Sequence, residues 1–265
     1  MGMLLRVVTY NIHRGRGLDG RVKPARIADV LREIDADVVA LQEVVCGEDA
    51  GREGDQGRFL AEELSLHYQL GENRKLKGAA YGNVALSRFP LKVVTNHDLS
   101  VEGYERRGAL HTDVCLTETD ILHVFNVHLG TAFLERRHQA RRLSERTTGL
   151  LHNEELRGPK IVLGDFNEWT QGLATQMLGS HLKSVDILKH LGRTKTYPAF
   201  MPIMHLDHIY YDGPLELKAL RLHRTRKAVV ASDHLPLVAE FEYTGLSEKG
   251  ALLEGVPRPP VPSPS

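Results

Sequence analysis

Five short polar clusters punctuate the chain, each directly after an apolar, strand-like run. They are Thr9-Tyr10-Asn11, Leu41-Gln42-Glu43, Asn126-Val127-His128, Gly164-Asp165-Phe166-Asn167 and Ser232-Asp233-His234. Between them they offer carboxylates, carboxamides and imidazoles, and neither a serine nor a cysteine stands in the setting of a nucleophile. That inventory suits a hard divalent cation and a water molecule attacking a phosphate ester. Each cluster also has a plain reading. Asn11 is a good turn residue, Glu43 could mark where a strand meets solvent, and Asp165 could cap its own backbone. What favours chemistry is the recurrence of these residue types at the ends of successive apolar runs.

The elements that must position these clusters follow from periodicity. Leu4 to Thr9 reads as a strand and Asn11 to Gly20 as a loop. A helix begins near Pro24 and carries Ile27, Val30, Leu31 and Ile34 on one face. Asp37 to Leu41 is a short strand that delivers Glu43, and the glycine-rich stretch Gly47 to Gly57 is a loop. Phe59 to Leu66 is a short helix. The runs at Asn83–Leu86, Leu91–Leu99, Ala109–Leu116 and Ile121–Val127 are spaced as an antiparallel meander. Leu134 to Leu151 reads as a helix whose arginines, Arg136 to Arg146, pair with Glu135 and Glu145 on its exposed face. Strands follow at Ile161–Leu163, Leu206–Tyr211, Leu215–Leu222 and Leu235–Tyr243, with a helix over Leu173–Leu178. Strands mixed with helices, with long antiparallel stretches, predict an α/β fold. Two facing sheets with helices on both outer sides would align the strand ends, and with them the clusters, along one rim.

Bulk composition narrows the class. The chain has 265 residues, of which 42% are hydrophobic, enough for one large core, expected over 1–245. Residues 246–265 form a tail with five prolines among its last ten residues, which cannot bury a core. Lys plus Arg (34) balances Asp plus Glu (34), so bulk charge does not suggest a protein that coats nucleic acid. Cys46 and Cys115 read as buried free thiols of a reducing compartment. The N-terminus enters a strand pattern at once, and no run approaches the roughly 20 apolar residues that span a bilayer, so a cytoplasmic location is expected.

In order and content the clusters resemble the endonuclease/exonuclease/phosphatase superfamily. The residues that carry the resemblance are Tyr10-Asn11-Ile12, Gln42-Glu43-Val44, His128-Leu129-Gly130, Gly164-Asp165-Phe166-Asn167, Leu206-Asp207-His208-Ile209 and Ser232-Asp233-His234-Leu235-Pro236. The linking segments Tyr81 to Arg88, Arg106 to Ala109 and Glu135 to Gln139 are similar to those of its small bacterial members. The resemblance implies a four-layered α/β sandwich with two mainly antiparallel sheets and the active site at one sheet edge. It implies Mg²⁺ or Mn²⁺ held by Glu43, Asn11 (through a carbonyl oxygen) and Asp233, with substrate phosphate completing the shell. Asp165, kept ionised beside the cation, would take the proton of the attacking water, and Asn167 would orient that water or a phosphate oxygen. His234, polarised by Asp207, and His128 would donate hydrogen bonds to the phosphate. Arg107 and Arg14 are candidate cations on the substrate side.

Departures from related branches bear on substrate. His13 stands where apurinic-site endonucleases usually carry an acid. Met204-His205-Leu206-Asp207-His208 replaces the Trp-Cys-Asp-Arg signature of inositol polyphosphate phosphatases. His128 is more similar to the histidine of pancreatic-type deoxyribonucleases and sphingomyelinase-like phosphodiesterases. A phosphodiester substrate is therefore expected, with nucleic acid favoured by the basic segments Arg14–Lys23 and Arg221–Lys227. The alternatives are a phospholipid headgroup diesterase, a phosphatase, and a non-catalytic interaction module. The module reading would need a missing base or metal ligand, and none is missing. A lipid-acting enzyme should expose an apolar rim near its site. Phe200 to Met204 could supply one, but is read here as a packed loop.

Overall fold

In the computed structural model, which describes residues 2–47, 51–145, 149–152, 156, 158–168, 172–180, 182–184 and 195–245, the apolar runs become twelve strands. In chain order these are β1 (Met3–Asn11), β2 (Val38–Cys46), β3 (His67–Leu76), β4 (Ala79–Ser87), β5 (Leu91–Asp98) and β6 (Gly108–Cys115). They continue with β7 (Ile121–His128), β8 (Lys160–Asp165), β9 (Lys183–Ser184), β10 (Asp207–Asp212), β11 (Leu215–Leu222) and β12 (Leu237–Tyr243). The helices are α1 (Pro24–Ile34), α2 (Gln56–Leu64), α3 (Phe133–Ser144), α4 (Leu173–Gly179) and α5 (Arg226–Ala231). The strands form two sheets of six, in the orders β11-β12-β1-β2-β4-β3 and β5-β6-β7-β8-β10-β9.

Each sheet contains one parallel pair, β1 with β2 and β7 with β8, flanked by antiparallel neighbours. A parallel pair ends both strands on the same side, so Asn11 and the Gln42-Glu43 segment meet on one sheet, and His128 and Asp165 on the other. The antiparallel neighbours β10 and β12 run the opposite way and bring their starts to that rim, with Asp207 level with Asp165 and the Ser232-Asp233-His234 turn just before β12.

Alternation along the strands divides the core into layers. Leu5, Val7, Val38 and Ala40 of the first sheet meet Val114, Leu122, Val124, Ile161 and Leu163 of the second between the sheets. The opposite faces are covered by α1, α2 and α5 on the first sheet and by α3 and α4 on the second. The four-layered α/β sandwich expected from the sequence is present, with few helices in its outer layers.

A buried amide network locks the two sheets together. Gln42 Nε2 donates to Asn126 Oδ1 across the interface at 2.7 Å, and Asn126 Nδ2 donates to the carbonyls of Leu41 and Val84, each at 2.9 Å. Asn83 Nδ2 returns the contact by donating to the carbonyls of Asn126 and Gly108, each at 3.1 Å. Asn126→Ala removes the acceptor of Gln42 Nε2 across the interface and the side-chain donor to the buried Leu41 and Val84 carbonyls. Its expected cost is about 2–3 kcal/mol, read as a thermal midpoint lowered by roughly 5 °C; an unchanged midpoint would show the network to be dispensable.

Several sequence expectations are corrected. The four-strand meander is in fact the three strands β5-β6-β7, because β4 pairs with β2 and β3 in the other sheet. Strand β3 was not expected at all, and neither was α5. Helix α3 ends at Ser144 rather than Leu151, where the chain turns extended at Glu145. The expected ion pairs of Glu135 are replaced: Glu135 is buried and accepts from Gln139 Nε2 (3.2 Å), while Arg142 Nη1 donates to the Asp98 carbonyl (2.9 Å). Arg146 and the proline-rich tail lie outside the described residues. Cys46 and Cys115 are buried free thiols, as expected. Among the described residues no helix is long and apolar enough to cross a membrane.

Candidate active site

Glu43 reaches the rim through a bulge. The β2–β4 register runs Leu41 opposite Val84 and then Val44 opposite Gly82, so Gln42 and Glu43 share one partner position. The extra residue breaks the alternation. Gln42 turns into the intersheet network, while Glu43, at φ +57°, faces the cleft half-buried. His13 (φ +45°), Arg14 (φ +60°) and Asn167 (φ +50°) are likewise left-handed. Four non-glycine residues in this sparsely populated region, all at one rim, mark it as a place where the backbone is bent to aim side chains.

Asp165 is aimed by the glycine before it. A Cβ on Gly164 would stand 1.8 Å from the Val127 carbonyl, so only glycine lets β8 approach β7 closely enough to align Asp165 with His128. Gly130 acts similarly on the other side. A Cβ there would meet the Glu135 carboxyl, and its N–H donates to Gln139 Oε1 at 2.8 Å. The Glu135–Gln139 pair thus seats the Leu129-Gly130 turn, whose Leu129 carbonyl accepts from Asn167 Nδ2 at 2.9 Å.

Three nitrogens converge on Asp165 Oδ2: Asn11 Nδ2 at 3.0 Å, and the Nε2 atoms of His128 and His234, each at 3.6 Å. Asp165 Oδ1 accepts from Asn167 N at 2.9 Å. Behind His234, Nδ1 lies 2.9 Å from Asp207 Oδ2. Burial alone would push the His234 ring down, yet the Asp207 and Asp165 carboxylates beside it raise it to about 10, so it is an imidazolium at neutral pH. Asp165, Asp207 and His234 are close enough to hold a cation by distance alone, but a charged ring between two carboxylates is a donor, not a ligand. Behind His128 stands Arg107, whose Nη1 donates to His128 Nδ1 at 3.1 Å. A guanidinium can only donate, so Nδ1 accepts and Nε2 carries the proton. Burial first, then the charges of Arg107 and His234, hold His128 well below its ordinary value and therefore neutral. Burial pushes Asp165 itself up to about 6, against the lowering pull of His234.

The remaining residues gather at the end of β1. Asn11 Nδ2 also reaches Glu43 Oε1 at 3.4 Å, and Ser232 Oγ donates to the Asn11 carbonyl at 2.8 Å, tying in the Asp233-His234 turn. His13 Nδ1 lies 3.4 Å from Asp233 Oδ2, and Arg14 Nε 3.8 Å from Glu43 Oε2. The Tyr197 phenol, whose ring lies 4.9 Å from that of His234, is raised first by burial and then by the charges of Asp233, Asp165 and Glu43. One hydroxyl therefore senses all three acids, which numbering separates by up to 190 positions (233 − 43).

Three sequence assignments change in detail. Asn11 turns its amide nitrogen, not its carbonyl, toward Glu43 and Asp165, because two adjacent carboxylates need a donor; its Oδ1 accepts from His13 N at 3.0 Å. Arg107 is buried behind His128 and sets its tautomer instead of facing substrate. The segment Phe200–Met204 is not a packed loop: Phe200, Met201 and Ile203 are 52–59% exposed. Sequence reasoning missed His13 and Tyr197, whose signals were only their nearness to Asn11 and to the Asp207 strand.

The donor set fits a hard cation. Glu43 and Asp233 are partly exposed carboxylates at one strand end, oxygen ligands of the kind Mg²⁺ and Mn²⁺ take, with room for solvent. Glu43→Gln is expected to raise the metal concentration for half-maximal activity roughly tenfold or more; an unchanged metal dependence would remove Glu43 from the ligand set.

The family model for the Endonuclease/Exonuclease/phosphatase family matches residues 8–234, a span that contains every one of these site residues. The chain belongs to this family. It is 31% identical over 248 residues to the uncharacterized protein YbhP of Escherichia coli, covering 89% of this chain and 95% of that one. Among solved structures it is similar to an endonuclease/exonuclease/phosphatase from Beutenbergia cavernae, with a TM-score of 0.74 and 26% identity over 91% of this chain and 72% of that one. The fold also matches the mannosyl-6-phosphatase Bt3783 of Bacteroides thetaiotaomicron, with a TM-score of 0.68 and 18% identity over 89% of this chain and 99% of that one. Members of this family are generally metal-dependent phosphoester hydrolases.

Proposed function

We propose that the chain is a divalent-metal-dependent phosphodiesterase. The observation that carries this reading is the convergence of Asn11, His128 and His234 on Asp165, with Glu43 and Asp233 alongside. Glu43 and Asp233 would hold Mg²⁺ or Mn²⁺, which when bound neutralises charge on the phosphoryl group and lowers the pKa of the carboxyl groups near it. Asp165 takes the proton of the attacking water, and Asn167, with one amide hydrogen given to Leu129, keeps a second for that water or a phosphate oxygen. The neutral His128 Nε2–H and the charged His234 Nε2–H donate to the non-bridging oxygens as charge builds there. Among the described residues, Arg107 is committed to His128 and Arg14 lies against Glu43, so neither candidate cation is left free for the substrate. That supply matches the single charge of a diester better than the double charge of a monoester.

Of the two diester classes, the surface favours an amphiphilic substrate. The basic segments behind the nucleic-acid expectation are partly neutralised, Arg14 by Glu43 and Lys227 by Glu33. By contrast, Phe133 and Leu134 just beyond the Leu129-Gly130 turn are 58% and 61% exposed, and Phe200, Met201 and Ile203 are exposed next to Tyr197 and to Ala199, whose N–H donates to the Asp233 carbonyl. An exposed apolar helix start at Phe133–Leu134 and an exposed apolar loop at Phe200–Ile203, each close along the chain to residues of the polar cleft, suit a phosphate between an apolar body and a headgroup, as in a phospholipid. The deciding assay offers purified protein with Mg²⁺ plasmid DNA, RNA, a phospholipid panel and a bis-aryl phosphodiester. Turnover of phospholipid with inert nucleic acids is expected; rapid DNA or RNA cleavage with inert lipids would restore the nucleic-acid reading.

A further inference from the structure

A second cluster of ligating side chains lies in the same sheet, away from the cleft. His111 and Asp113 stand two residues apart on β6 and so project from one face. Asp113 is directly opposite His123 of β7 in the antiparallel register. All three share the outer face of the second sheet with Ala109, Phe125 and Val127, which pack beneath α3. His123 is five residues before His128 on its strand, hence about 16 Å along the sheet from the catalytic rim, and on the opposite face.

The three donor atoms form a closed triangle. His111 Nε2 is 3.0 Å from Asp113 Oδ1, His123 Nδ1 is 2.7 Å from the same oxygen, and the two nitrogens are 3.4 Å apart. Ligand atoms bound roughly 2.0–2.2 Å from a tetrahedral ion stand about 3.4 Å from one another, so a small outward adjustment admits a cation. The residues are 5–7% exposed, and the His111 ring is held flat against Phe125, with centroids 4.3 Å apart and planes 5° from parallel. A ring fixed in this way, with one carboxylate between two imidazoles, makes a preorganised donor set, flanked by His97 and by Lys92 and Lys160 at the neighbouring register positions. Two nitrogens and one oxygen select a borderline transition metal over Mg²⁺ or Ca²⁺, the reverse of the oxygen-rich catalytic rim.

From this geometry we propose that His111, Asp113 and His123 form a second metal site, for Zn²⁺ or a similar divalent transition-metal ion, that clips β6 to β7. The plain alternative is a carboxylate shared by two imidazole N–H donors with no ion. The test uses the full chain, stripped with chelator, reloaded with Zn²⁺ in excess Mg²⁺, then desalted and crystallised. One zinc per chain is expected, with an anomalous peak at the zinc edge roughly 2.0–2.2 Å from His111 Nε2, His123 Nδ1 and Asp113 Oδ1. Asp113→Asn should weaken zinc binding at least roughly tenfold while Glu43→Gln leaves this site filled. Should Asp113→Asn fail to fold, the wild-type crystal still decides. Zinc seen only at Glu43 and Asp233, scattered over surface histidines, or absent would overturn the proposal.

Discussion

Asp165→Asn is expected to lower kcat by about 10²–10⁴-fold, the usual contribution of a positioned general base, with a small change in KM. An amide cannot accept the proton of the attacking water at any pH near neutrality. The substitution keeps volume, and its oxygen can still accept from Asn167 N as Oδ1 does at 2.9 Å. At the other position an NH₂ would face three nitrogens, Asn11 Nδ2, His128 Nε2 and His234 Nε2, that now surround Oδ2. The local pairing is lost, but so is a buried carboxyl whose pKa burial has already raised to about 6. Those effects oppose one another, so the thermal midpoint should move little. Near-normal turnover in a folded variant would remove Asp165 from the role of base.

His234→Gln is expected to cost about 10²–10³-fold in kcat, the scale of losing one preorganised donor to developing charge. The pH profile gives this residue a signature. Its folded pKa is raised above the ordinary 6.5 to about 10, so the charged ring is present at neutral pH and is lost as pH rises through about 10. Wild-type activity should therefore hold across the neutral range and fall on an alkaline limb near there. Asp207, fully buried and 2.9 Å from His234 Nδ1, is the leading cause of that rise, so Asp207→Asn should move the limb to lower pH. A limb unmoved by Asp207→Asn would show that the ring's charge has another origin.

The candidate site residues were legible because each terminates an apolar run, and strand ends on two facing sheets share a rim. The supporting residues were less so. Strand β3 reads His67-Tyr68-Gln69-Leu70-Gly71-Glu72-Asn73-Arg74-Lys75-Leu76; it is a sheet edge, and its alternation is masked by polar residues facing solvent. The assignment of β4 to the first sheet rests on its pairing with β2, which, like the Asn83–Asn126 contact across the interface, joins distant segments that no local pattern encodes. Arg107 looks like any rim arginine in sequence; only burial behind His128 shows that it sets a tautomer. The exposure of Phe200, Met201 and Ile203 ran against their hydrophobicity, which alone predicts packing.

Hydrolysis of a bis-aryl phosphodiester by chelator-stripped protein, with and without added Mg²⁺ or Mn²⁺, tests the account most directly. Negligible turnover after stripping, recovery on adding either ion to wild type, and no recovery in Asp165→Asn are the predicted results. Full turnover in the presence of excess chelator would contradict a cation-assisted attack of water at the Glu43–Asp165–Asp233 cleft.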